Sequence, residues 1–257
     1  MNAYDRVQAA RAKGRQTATD YIKNIFDDFI ELHGDRRFGD DHAIVGGIAR
    51  LNDTPVTIVS IEKGRDTNER VRRNFGSANP EGYRKAIRLF KQAEKFHRPV
   101  ICLVDTSGAY CGMGAEERGQ GQAIAESMAT LAELRTPVIS IVIGEGGSGG
   151  ALALAVADEV WMLENSIYSV ISPEGAASII WKDAKRVKEA SEVLKLTADD
   201  LSALGVVERV ISEKDGFAAV NTEMKSALEE TIARLQACDT DELLQNRYEK
   251  FRRIGRP

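Results

Sequence analysis

Five of the seven positions from Gly144 to Gly150 are glycine, in the run Gly144-Glu145-Gly146-Gly147-Ser148-Gly149-Gly150-Ala151. The run follows a strand-like segment, Pro137 to Ile143, and opens a small-residue helix from Leu152 to Ala157. Glycine at this density leaves backbone N–H groups unhindered, and a helix start adds the positive end of a dipole. The combination suits an oxygen that carries negative charge.

A similar unit precedes it. Pro99 to Val104 is a continuous apolar run, as expected of a strand buried on both faces. A loop from Asp105 to Glu117 holds Gly108, Gly112 and Gly114, and a helix is expected from about Gly119 to Leu134. Strand, glycine loop and helix therefore occur twice, which predicts an α/β protein. Further strands are expected at 160–163 and 167–171, and a last one at 206–211.

Upstream, residues 1–17 are polar and basic and read as a loose arm. Ile22, Ile25, Phe26, Phe29 and Ile30 share one face of a helix predicted over 19–33, which Gly34 ends. Segments 43–51 and 56–61, joined by Asn52-Asp53-Thr54-Pro55, form a predicted β-hairpin. Residues 63–79 read as a polar loop, and Asn79-Pro80 starts a helix. Downstream, 176–181 and 184–194 read as helices. Thr197 caps another, which Gly205 stops. Two long helices follow over 216–237 and 240–254, with either a docked or a solvated face. The division expected is an arm, 1–17, and a single domain, 18–257, with a helical C-terminal extension.

Composition removes several classes of function. The 257 residues are 43% hydrophobic and 29% charged, enough for a substantial core. A net charge of −4 argues against general nucleic-acid binding. No apolar run approaches a membrane span, and the N-terminus has no export-signal core. Cys102, Cys111 and Cys238 show no paired spacing, so a reducing cytoplasm is expected. Cys102 lies in an apolar strand, whereas Cys111 lies in a glycine loop. No metal-ligand motif or phosphate-binding GxxxxGK is present, so no metal is expected in this chain.

Three readings compete for the central glycines. Gly144-x-Gly146-x-x-Gly149, with Glu164 further on, fits a Rossmann dinucleotide-binding fingerprint. The helix after Gly150 is short for that role. Gly146-x-Ser148-x-Gly150 fits a nucleophile elbow, but its base would have to be one of His33, His42 and His97, all upstream. The third reading needs no nucleophile: the Gly149 and Gly150 amides donate to a developing oxyanion. Separately, Lys63, Arg65, Arg70, Arg72 and Arg73, followed by Arg84, Lys85, Arg88 and Lys91, form a basic segment in an acidic protein. It is either a solvated face or a landing site for phosphate.

The chain closely resembles the alpha subunits of bacterial acetyl-coenzyme A carboxylase carboxyltransferase. The matching segments include Glu31-Leu32-His33-Gly34-Asp35-Arg36, Lys63-Gly64-Arg65-Asp66-Thr67, Arg72-Arg73-Asn74-Phe75-Gly76, Gly114 to Gln120, Gly144 to Ala151, and Tyr168 to Gly175. They span roughly residues 18–212. The resemblance implies a crotonase-type (ClpP/crotonase-like) fold, a spiral of ββα repeats. It implies an alpha-2 beta-2 assembly in which the beta subunit carries a zinc ribbon and the other half of the site. Biotin carboxylase and the biotin carboxyl carrier protein are the further partners implied.

The reaction implied moves a carboxyl group from carboxybiotin, on its carrier, to acetyl-CoA, giving malonyl-CoA for fatty acid synthesis. Carboxybiotin releases carbon dioxide within the site, the ureido oxyanion left behind takes a proton from the acetyl methyl group, and the enolate attacks the carbon dioxide. No cofactor is covalently bound. The family's glycine pair maps onto Gly149 and Gly150 as donors to the biotin carbonyl oxygen. Gly108, Ala109, Gly146 and Gly147 are expected to bind substrate, and Arg72 and Arg73 to reach the CoA phosphates. The family's Asp-Thr-Pro-Gly-Ala-Tyr-Pro-Gly loop reads Asp105-Thr106-Ser107-Gly108-Ala109-Tyr110-Cys111-Gly112, without either proline. That loop is expected to be less stiff. The competing functions are a non-catalytic CoA-binding scaffold and a Rossmann-type dinucleotide-binding protein.

Overall fold

The computed structural model describes residues 1–256. Two short helices open the chain, α1 (Ala3–Ala10) and α2 (Ala18–Ile25). Both have capping boxes, Asn2 with Asp5 and Thr17 with Asp20. Strands β1 (Asp27–Glu31), β2 (Ile44–Leu51) and β3 (Thr54–Ile61) follow. Next come α3 (Thr67–Arg72), α4 (Pro80–Lys95), β4 (Val100–Thr106), α5 (Met113–Glu117) and α6 (Gln120–Glu133). The second glycine unit is β5 (Val138–Gly147) and α7 (Ser148–Leu152). Then come β6 (Glu159–Leu163), β7 (Ile167–Ser169), α8 (Pro173–Trp181), α9 (Val187–Val193), α10 (Ala198–Ala203) and β8 (Arg209–Ile211). The long helices α11 (Phe217–Gln236) and α12 (Thr240–Arg253) end the described chain.

The strands form one sheet in the order β1-β2-β3-β4-β5-β6-β8, with β7 beside the end of β5. The β1–β2 and β2–β3 pairs are antiparallel, and the pairs from β3 onward are parallel. Every residue of β4 is buried, as its unbroken apolar run requires. Alternation then splits the core between the two faces. Val100, Cys102 and Val104 pack with residues of α4 and α6, while Ile101 and Leu103 pack with residues of α2 and α11.

Two local expectations are corrected. The helix predicted over 19–33 stops at Ile25, and β1 pairs with β2. Gly47 permits this approach, because a side chain there would overlap the Ile30 carbonyl. Phe29 packs on the core while Ile30 points outward at 63% exposure, the two-residue period of a strand. The N-terminal residues are also not loose. Ala3, Val7 and Ala10 are buried on one side of α1, and Arg6 pairs with Glu164 at 3.2 Å.

The charged helix α12 is docked on its own domain. Arg247 is 2% exposed and donates to the carbonyls of Leu131, Leu134 and Thr136 at 2.6–3.0 Å. It also makes two hydrogen bonds of 2.8 Å to Asp158. Removing one partner of such a buried pair strands the other charge, a loss of about 3–5 kcal/mol. Arg247→Met is therefore expected to lower unfolding free energy by about that amount in urea titrations, and an unchanged midpoint would contradict the packing described.

Candidate active site

The carboxyl ends of β4 and β5 bring the two glycine loops together. Val104 pairs with Val142 and Thr106 with Gly146, so one intervening residue on β4 faces three on β5. This bulge sets Gly144 against Asp105, whose carboxylate fills the space a Gly144 side chain would need. Gly147 lies against the Ser107 carbonyl so closely that a methyl group would overlap it. Gly146 packs against Tyr168 and Val142.

The chain then turns sharply into α7. Ser148 takes φ +52°, a conformation that L-residues seldom adopt. Gly149 and Gly150 are the second and third residues of the helix, where N–H groups have no intrahelical acceptor. No side chain caps them. A Cβ built on Gly150 would stand 2.5 Å from the Ala109 nitrogen and 2.8 Å from the Gly108 carbonyl carbon. Among the described residues the Ala109 N–H makes no hydrogen bond. The sequence-predicted residues Gly108, Ala109, Gly146, Gly147, Gly149 and Gly150 thus lie where the two glycine loops meet, with the Ala109 amide against Gly150.

The loop that lacks prolines is held by other means. The Gly108 N–H donates to Thr106 Oγ1 at 3.0 Å, and the Tyr110 N–H donates to the Ala78 carbonyl at 3.1 Å. Gln120 Nε2 donates to the carbonyls of both Ala78 and Tyr110, at 2.8 and 2.7 Å. Behind Gly150, Tyr83 is fully buried, and its hydroxyl has no partner among the described residues. Burial pushes that phenol above its ordinary pKa.

Gly149 opens onto an apolar cavity of about 340 Å³ lined by Leu152, Tyr168, Val170, Phe251 and Ile254. A second cavity of about 240 Å³ lies by Ser107 and is charged, with Arg11, Lys63, Asp105 and Glu145 in its wall. There the Lys63 ammonium contacts Asp105 Oδ1 at 2.8 Å and Glu145 Oε2 at 2.7 Å. Arg11 of α1 holds the other Glu145 oxygen at 2.7 Å and reaches Glu174 of α8 at 2.7 Å. Burial alone would lower the Lys63 pKa, but the two carboxylates outweigh it and raise it. Burial alone would raise that of Glu145, but Lys63 and Arg11 lower it.

Sequence reasoning missed this group. The available signal was the placement of charged residues directly after apolar strands: Lys63 beyond β3, Asp105 at the end of β4 and Glu145 inside the glycine run. The basic segment does not act as one surface. Arg72 is exposed at the end of α3, and Arg73 donates to the His42 carbonyl at 2.8 Å. Neither lines the two cavities just described.

The rival readings of the glycines lose their supports. A dinucleotide fingerprint needs a long helix, and α7 has five residues. Glu164, the ribose-binding acid of that reading, is engaged by Arg6, Ser212 and the Glu213 N–H. Among the described residues the Ser148 hydroxyl has no hydrogen bond to a histidine, and His33 Nδ1 contacts Asp40 at 3.0 Å. No cluster of three or more metal-ligating side chains is present among the described residues, and no helix is long and apolar enough to cross a membrane.

Comparison with known proteins places the chain among relatives. Residues 1–255 match the family model described as acetyl co-enzyme A carboxylase carboxyltransferase-like. The chain belongs to this family. The acetyl-coenzyme A carboxylase carboxyl transferase subunit alpha of Ruminiclostridium cellulolyticum is 63% identical over 256 residues, covering 99% of this chain and 98% of the relative. The subunit of that name from Clostridium acetobutylicum is 59% identical, covering 100% and 95%. A Natranaerobius thermophilus relative, named as subunits beta/alpha, is 58% identical over 100% of this chain, which spans 43% of its length.

In structure, the chain superposes on transcarboxylase 12S with a TM-score of 0.72 at 24% identity, covering 89% of this chain but 44% of that one. It superposes on a Pseudomonas malonate decarboxylase chain with a TM-score of 0.68 at 20% identity, covering 82% and 86%. The fold is the crotonase type expected from the sequence.

The glycines differ in what they tolerate. A Gly147 side chain meets backbone, whereas a Cβ on Gly149 meets Ile124 at an ordinary 3.5 Å. Gly147→Ala is expected to destabilise the chain by about 1–3 kcal/mol. Gly149→Ala is expected to stay within about 0.5 kcal/mol of the parent. Urea unfolding of both variants checks the contrast; equal losses would mean that the two loops do not touch as described.

Proposed function

We propose that the chain acts as the carboxyltransferase alpha subunit of an acetyl-coenzyme A carboxylase in the cytoplasm. It works beside a beta subunit that carries a zinc ribbon, in an alpha-2 beta-2 assembly served by biotin carboxylase and the biotin carboxyl carrier protein. The observation that carries the reading is the approach of the Ala109 amide to Gly150 at an uncapped helix start, where Gly149 lines an apolar cavity, in a chain 63% identical to a relative of that name.

These residues fit carboxybiotin, which brings a transferable carboxyl group and a ureido oxygen on a largely apolar bicycle. The cavity lined by Leu152, Tyr168 and Phe251 suits the apolar body. The amides of Gly149 and Gly150 stand where the ureido oxygen gains charge, with that of Ala109 beside them. Being fixed by the turn, they need no reorganisation as the charge develops. Each donor of this kind is worth roughly 3 kcal/mol, or two to three orders of magnitude in rate. No histidine of the chain is needed as a base, since the oxyanion takes the substrate proton. For the CoA phosphates, Arg72 is the stronger of the two arginine candidates. It has no carboxylate within ion-pair distance among the described residues, whereas Arg73 is partly committed to the His42 carbonyl.

Gly150→Ala places a methyl group against the Ala109 amide, between donors that should share one anion. In the complex with the beta subunit, malonyl-CoA formation is expected to fall about 100-fold while assembly persists, at a stability cost of about 1–3 kcal/mol like that of Gly147→Ala. Unchanged turnover in an intact complex favours the non-catalytic scaffold instead. Separately, the double variant Arg72→Gln, Arg73→Gln is expected to raise KM for acetyl-CoA by about 3- to 10-fold with kcat nearly constant. Loss of assembly without a KM change would reassign both arginines to an interface.

A further inference from the structure

The buried charges at the carboxyl ends of three adjacent strands have a common geometry. Lys63 leaves β3, passes over the end of β4 and reaches β5. Its ammonium bridges Asp105, which directly precedes the Thr106-Ser107-Gly108-Ala109 loop, and Glu145, which lies inside the Gly144–Gly150 run. The same Asp105 oxygen that contacts Lys63 also accepts the Glu145 N–H at 2.8 Å. Gly76 packs over the bridge, and a Cβ there would stand 2.8 Å from the Lys63 side chain and 2.9 Å from the Asp105 carbonyl. Arg11 secures the outer oxygen of Glu145 and ties it to Glu174. Residues in or just beyond five elements, α1, β3, β4, β5 and α8, are therefore linked through one pair of carboxylates.

We infer that Lys63 is a positioning residue for carboxyl transfer: by clamping Asp105 to Glu145 it sets the spacing between the Gly108–Ala109 loop and the Gly149–Gly150 turn. The inference rests on the oxyanion reading of those amides. Lys63 touches neither loop's donors and acts only through the two carboxylates. The bulge in β5 gives such a clamp a task, because the ladder that fixes Val104 against Val142 shifts register there and resumes on the β4 side only at the pair Thr106–Gly146. Charge complementarity is what holds the group: Asp105 and Glu145 keep Lys63 cationic against its burial, and Lys63 and Arg11 keep Glu145 anionic against its own.

The test uses the complete complex with the beta subunit. Lys63→Met is expected to lower kcat about 10- to 100-fold, the scale of an ångström-sized misplacement, with KM for acetyl-CoA within about twofold. Amide hydrogen exchange over 144–151 is expected to quicken. Lys63→Arg, which keeps the charge and has the neighbouring cavity for its extra bulk, is expected to recover kcat to within about fivefold of the parent. A Lys63→Met complex with parental kcat, or a Lys63→Arg variant no better than Lys63→Met, overturns the inference. If Lys63→Met does not assemble, Glu145→Gln serves, because it keeps the shape and removes one charge of the clamp; parental kcat and exchange in that variant overturn it equally. Gly150→Ala assayed in parallel separates the two claims. If Gly150→Ala is inactive and Lys63→Met is not, only the clamp is lost. If Gly150→Ala is fully active, the oxyanion reading itself fails.

Discussion

Two lengths of backbone touch without side chains between them where β4 and β5 end. Gly147 meets the Ser107 carbonyl, and Gly150 meets the Gly108–Ala109 peptide. Such contact is possible only where Cβ atoms are missing, which accounts for the glycines at these positions. It also fixes what the site is made of. In the function proposed, peptide N–H groups rather than side chains meet the anion, so their placement is inherited from the sheet. The parallel ladder from Val100 to Val104 and from Val138 to Val142 supplies the rigid base for that placement.

The cost of this construction appears at the strand ends. A bulge in β5 shifts its register against β4 within the glycine run, and Ser148 has to adopt a left-handed conformation to start α7. Conformations of this kind persist only when their surroundings over-determine them. Here the surroundings are ionic on one side, through Lys63, Asp105, Glu145 and Arg11, and apolar on the other, through Tyr83, Ile124 and the cavity wall. The two sides do different work. Charge fixes the loops relative to each other, while the apolar side lowers the polarity around Gly149, where an N–H donor acts more strongly.

Most of this architecture was legible in the sequence wherever the signal was local. The continuous apolar runs marked β4 and β5, Asn79-Pro80 marked the start of α4, and the hairpin between β2 and β3 followed from its turn residues. The glycine run marked the turn from β5 into α7. The failures share a cause. Residues 27–31 carry apolar positions that suit either period, and only the partner strand β2, with Gly47 to admit it, decides for a strand. Residues 1–17 look polar because Arg6, Arg11 and Arg15 dominate them, yet all three are neutralised by carboxylates far along the chain, Glu164, Glu145 with Glu174, and Glu213. Arg247 was similarly concealed within a charged helix. Ion pairs between distant residues leave no periodic trace, so the clamp at Lys63 could not be read from spacing.

That concealed network changes how the first helix is understood. A basic arm with no partner would be dispensable to an oxyanion site built from glycine amides. Arg11 is instead the link between α8 and the strand that carries those amides, and Arg15 donates to the Ile143 carbonyl at 2.9 Å, one residue before the glycine run. Residues at opposite ends of the domain thus brace the same turn. A site composed of backbone has no side chains of its own to tune, so its geometry must be set by neighbours. In this chain those neighbours come from α1, β3 and α8, and their charges hold the glycine turn in place.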